Sequence, residues 1–80
     1  MKKIILIYRT DNHHSINSKT LIATSDKMTT SVSLIKEWIE AGELEPLSKG
    51  DVDNLYQLSQ TQGRDDNFTL EVVGVNEFVF

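Results

Sequence analysis

The sequence predicts an α+β fold of order β-β-α-α-β, with a helical hairpin packed on one face of a three-stranded sheet. Three observations carry this expectation. An aliphatic run, Ile4-Ile5-Leu6-Ile7-Tyr8, comes first, two stretches with helical spacing follow, and an alternating segment starts at Asn67. Neither a helical hairpin nor a thin sheet buries its apolar side alone, so the two layers must cover each other.

Residues 2–9 are nearly continuous in branched aliphatics, as in a central strand covered on at least one face. Met1-Lys2-Lys3 before that run has the look of an export signal. The run is too short for one, and Arg9 ends it without a small-residue cleavage site, so a strand is expected instead. Residues 10–19 are polar and turn-rich and read as a loop, long for a hairpin connection and therefore a candidate functional segment. Thr20-Leu21-Ile22-Ala23-Thr24 is a short second strand.

Ser25 and Asp26 are favourable residues for starting a helix. Met28, Val32, Ile35 and Ile39 then recur at spacings of one helical turn, with Trp38 beside the stripe, and form one buried face. Ala41-Gly42 gives the stop, with the glycine expected in the left-handed conformation, and Pro46 forbids continuation. Ser48 and Asp51 have the spacing of a capping box, with Asp in place of the commoner Glu or Gln, and Leu47 and Val52 occupy the staple positions. Val52, Leu55, Tyr56 and Leu58 are expected to face inward, and Gln62-Gly63 to end this second helix.

Arg64-Asp65-Asp66-Asn67 reads as a turn. Phe68, Leu70 and Val72 alternate with Thr69, Glu71 and Val73, which describes a half-buried strand bent at Gly74 and continuing to Phe80. The greasiness of the first strand favours the order 2-1-3. Tracing strands and helices alternately up and down then places the third strand parallel to the first.

Eighty residues fit one small domain, 1–80. Such a chain buries only roughly 60% of its unfolded surface, so the margin of stability is thin. The 39% hydrophobic and 25% charged fractions belong to a folding chain rather than a disordered one. With no cysteine there is no disulfide, thiol nucleophile or thiolate zinc site. No segment approaches the ~20 apolar residues of a membrane-spanning helix, and a cytoplasmic protein is the expectation. The sequon Asn67-Phe68-Thr69 carries little weight without an export signal.

Catalysis finds little support. Asp11, His13, His14 and Ser15 have the residue types of a metal site or a nucleophilic triad, but a lasting metal site wants three or four ligands. No other histidine exists in the chain. There is no Gly-x-Ser-x-Gly elbow and no phosphate-cradling glycine loop. Asp51-Val52-Asp53-Asn54 begins like a calcium loop without its turn glycine or its distal acid; acids in a helix's first turn explain it through the dipole. The expectation is therefore a protein that is no enzyme and carries no cofactor, with metal binding through Asp11, His13 and His14 as a rival.

Charge gives the remaining clues. The net charge is −4, with residues 1–30 at +3 and residues 31–80 at −7. Lys2, Lys3, Arg9 and Lys19, with Tyr8, form a basic amino-terminal edge that would suit a nucleic acid, yet the rest of the surface repels phosphate. The first helix carries Lys27 near its start and Glu37 and Glu40 near its end, the reverse of what the helix dipole favours. Glu43 and Glu45 extend the acids into the interhelical turn. Ordinary solubilising charge is the plain explanation; a local rule broken without structural return also marks places where function resides. The expected role is thus a non-catalytic module that binds another protein. Its candidate contacts are Glu37, Glu40, Glu43 and Glu45, the loop residues His13 and His14, and the strand end with Phe78 and Phe80. An overlong last strand also invites a homodimer through its free edge.

Overall fold

The structure is a computed structural model that describes residues 3–12 and 16–74. Its elements are β1 (Lys3–Thr10), a 3₁₀ turn (Ile16–Ser18), β2 (Thr20–Ser25), α1 (Met28–Ala41), α2 (Lys49–Leu58) and β3 (Asn67–Gly74). The sheet order is β2-β1-β3, so the greasiest strand is central, and the fold is the expected α+β arrangement.

Alternation along β1 sorts the faces. Ile5 and Ile7 are buried and join Val32, Ile35 and Ile39 of α1, Leu55 of α2, and Phe68 and Leu70 of β3 in one core. Ile4, Leu6 and Tyr8 point to the opposite, helix-free side and are half-buried. β2 pairs with β1 in antiparallel register from Ile5–Ser25 to Arg9–Thr20, interrupted by a bulge that leaves Ile22 without a partner residue on β1. The loop between β1 and β2 is tied at its base, where the Asp11 amide donates to Ser18 Oγ at 2.9 Å.

β3 is antiparallel to β1, from Lys3–Gly74 to Thr10–Asn67, which corrects the parallel expectation. The cause is an extra reversal. α2 stops at Leu58, earlier than expected, because Ser59 takes the left-handed conformation at φ 60°. Residues 59–61 then run beside β3: the Thr61 amide donates to Phe68 O at 2.9 Å and the Leu70 amide to Ser59 O at 2.7 Å. A turn through Gly63, at φ 75°, sends the chain back into β3. The edge proposed for homodimerisation is therefore covered beside Phe68–Leu70, and Phe78 and Phe80 lie outside the described residues.

Three side chains expected inside are not. Tyr56, Leu58 and Val72 are 49%, 53% and 56% exposed, and Leu55 is the one residue of α2 that is fully inward. The helix starts also divide. Ser48 Oγ accepts from the Asp51 amide at 3.1 Å, and Asp51 Oδ2 accepts from the Ser48 amide at 2.9 Å, completing the expected capping box of α2. α1 is capped at Lys27 without a side-chain bond. Ser25 instead holds the Lys27 backbone, accepting from its amide and donating to its carbonyl.

Candidate functional site

The end of α1 builds the most distinctive surface. Gly42 does not take the left-handed conformation expected of it; its φ is −91°, and Glu43 takes φ 54° instead. The Glu43 amide donates to Glu40 O at 3.2 Å and the Leu44 amide to Ile39 O at 3.0 Å. This is a Schellman stop with glutamate in the position glycine usually fills, and it sets Leu44 over the turn carrying Ile39. Those two side chains, with Lys36, Glu40, Pro46 and Leu47, line a cleft of about 430 Å³.

The far wall of the cleft is held by Arg64, which is only 6% exposed. Its Nη1 donates to Pro46 O and to Asp51 Oδ2, both at 3.0 Å, its Nη2 to Glu45 O, and its Nε to Asp66 O at 2.9 Å. The guanidinium also lies 5.9 Å from the centre of the Phe68 ring, which meets the Trp38 ring edge-on at 5.8 Å. Asp51 thus serves both the helix cap and the buried arginine. One buried guanidinium thus has its charge and donors satisfied by three carbonyls and a carboxylate, which would otherwise be costly to bury.

A second polar knot lies next to it. Thr61 Oγ1 donates to Asn67 Oδ1 at 2.9 Å and accepts from the Phe68 amide at 3.0 Å, while Asn67 Nδ2 donates to Arg64 O at 2.9 Å. Asn67 is fully buried, so its sequon is closed to a glycan in the folded chain.

The sequence candidates divide accordingly. Glu37, Glu40, Glu43 and Glu45 are all exposed at the α1 end and linker. Glu40 lines the cleft, and Glu43 and Glu45 flank Leu44 in the chain. The described residues contain three ion pairs, Arg9–Asp66, Lys19–Glu71 and Arg64–Asp51, and none involves these four acids. The amino-terminal basic edge is partly answered by the same pairs: Arg9 meets Asp66, and Lys19 meets Glu71 while lying 4.3 Å from the centre of the Tyr8 ring. His13 and His14 lie outside the described residues, so their grouping with Asp11 has no structural counterpart here; no set of three metal-ligating side chains occurs among the described residues. No described helix is long and apolar enough to cross a membrane.

Sequence reasoning missed Arg64, read only as a turn residue, and the apolar cleft lining around Leu44 and Pro46. The arginine's partners Glu45, Pro46 and Asp51 lie 13 to 19 residues away, too distant in the chain for a local pattern to reveal. Fold and site together define a small α+β protein with an acid-rimmed apolar cleft at one end of its helical hairpin. No family model, curated protein or solved structure matches this chain.

Proposed function

We propose that this chain is a small, non-catalytic binding module that captures another protein on the acidic end of its helical hairpin. One observation supports the reading above the others: Glu40 lines an apolar cleft, Glu43 and Glu45 flank its Leu44 in the chain, Glu37 lies one turn before Glu40 on α1, and none of the four is in an ion pair among the described residues. The α1 carbonyl end adds negative potential there, with no basic residue in its last turn to offset it. A surface of that sign steers a basic partner over roughly 8 Å at physiological salt. The reading includes a cytoplasmic setting, in keeping with a chain that has no cysteine to cross-link.

The test reverses Glu37, Glu40 and Glu43 to Lys and compares capture from the native host's lysate at low and moderate salt. The expected result is salt-sensitive capture by the parent chain and its loss in the triple variant. Equal, salt-insensitive capture by the two would remove the acidic end from the binding surface.

A further inference from the structure

We infer that the cleft between α1 and the linker is the anchor point of this binding surface, and that its occupant is a partner segment presenting one bulky apolar side chain flanked by Lys or Arg. The inference rests on the binding reading above and adds how the partner is held. Three features of the site carry it.

The first is shape and lining. At about 430 Å³ the cleft falls in the range of ligand-sized pockets. Ile39 is buried at its base, Leu44 and Leu47 are half-buried, and Pro46 is exposed, so water there lies against mostly apolar surface. Covering that surface with a large apolar side chain is favourable and needs no polar partner inside.

The second is that the cleft is set in advance. The Schellman bonds fix Leu44 against Ile39, and Arg64 grips the carbonyls of Glu45 and Pro46 from behind. A wall already ordered in the free chain loses little entropy on binding.

The third is the sign of the rim. Glu40 is within the lining beside Lys36, and the exposed Glu37, Glu43 and Glu45 lie within four residues of Ile39 or Leu44 in the chain, while the nearby Arg64 is buried and already paired with Asp51. Glu43 holds a left-handed conformation that a neighbouring glycine would accept without strain. Strain retained in a surface turn points to a use for the side chain that causes it. Flanking cations on the occupant answer both the acids and the helix end; flanking acids would be repelled.

The full chain is titrated with three capped peptides while amide NMR signals are followed. The probes are Lys-Arg-Phe-Arg-Lys, its serine counterpart Lys-Arg-Ser-Arg-Lys, and the acidic Glu-Asp-Phe-Asp-Glu. The first is expected to move the amides of Ile39, Glu40, Leu44 and Leu47 and to bind about tenfold or more tighter than the others, as burying one large apolar side chain allows. Glu43→Gly, which relieves the backbone, is expected to weaken that peptide while leaving distant amides in place. Leu44→Ser is expected to reduce the phenylalanine peptide to the level of the serine one.

Equal, salt-sensitive binding of the two basic peptides overturns the cleft anchor and leaves the acidic surface standing. Binding of neither basic peptide overturns both. Equal binding of the acidic and basic phenylalanine peptides keeps an apolar pocket but overturns the basic occupant. Movement of the same amides on concentrating the chain alone would make a second copy the occupant and likewise overturn the proposal.

Discussion

Arg64 shows how much a single residue can hold in a molecule this small. Its charge is buried, yet its donors reach Asp51 and the carbonyls of Glu45, Pro46 and Asp66, and the guanidinium lies near the Phe68 ring. Removing one member of a buried ion pair strands the other, at a cost of about 3–5 kcal/mol. Arg64→Ala is expected to lose stability of that order in urea denaturation. Arg64→Lys should recover only part of it, because a single ammonium cannot fork between separated acceptors. Ser48 and Asp51 were readable in the sequence since their reciprocal bonds span three residues. Arg64 was not, because its partners in the linker and α2 lie 13 to 19 residues away. A charge in a polar turn ordinarily faces water, and only the folded geometry turns this one inward.

At the level of elements, α1 was legible through its stripe: Val32, Ile35 and Ile39 are all buried, and Met28 is half-buried where the helix begins. Its ends were less so. Ser25 and Asp26 have the chemistry of caps, but Ser25 bonds to the Lys27 backbone and the helix starts beyond them. Glycine in the stop signal shifted expectation to Gly42, while the bonds of the last turn place the left-handed residue one position later. That position gives a clean measurement. Glu43→Gly removes a Cβ from a conformation that costs an ordinary residue about 1–2 kcal/mol. Glycine returns part of this as unfolded-state entropy, so a net gain of about 0.5–1 kcal/mol is expected, read as a raised urea midpoint with an unchanged slope. A stability loss would show that the Glu43 side chain supports the turn.

For the whole molecule, the composition and patterning were enough to place two helices over one face of a sheet with β1 in the middle. The direction of β3 was out of reach because residues 59–61 are too short to register as a strand, yet they add the reversal that sets it. α2 misled for a related reason. Tyr56 and Leu58 are apolar enough to suggest burial, but a sheet of three strands offers its covering helices little area and Leu55 uses it. A chain of this size has a total stability of about 4–12 kcal/mol. Ile7, fully buried on the central strand, therefore matters disproportionately. Ile7→Ala is expected to cost about 2–5 kcal/mol, and circular dichroism on heating should show a markedly lower midpoint or no folded baseline.

The arginine behind the cleft also has a temporal consequence. It fastens the interhelical linker, the head of α2 and the approach to β3 at one point, so these stretches cannot fray separately. Hydrogen exchange should find the amides of Asp51, Thr61 and Phe68 opening in one concerted event rather than on separate clocks. The cleft end of the molecule would then last only as long as the pairing of Thr61 with Phe68 along β3 stays shut.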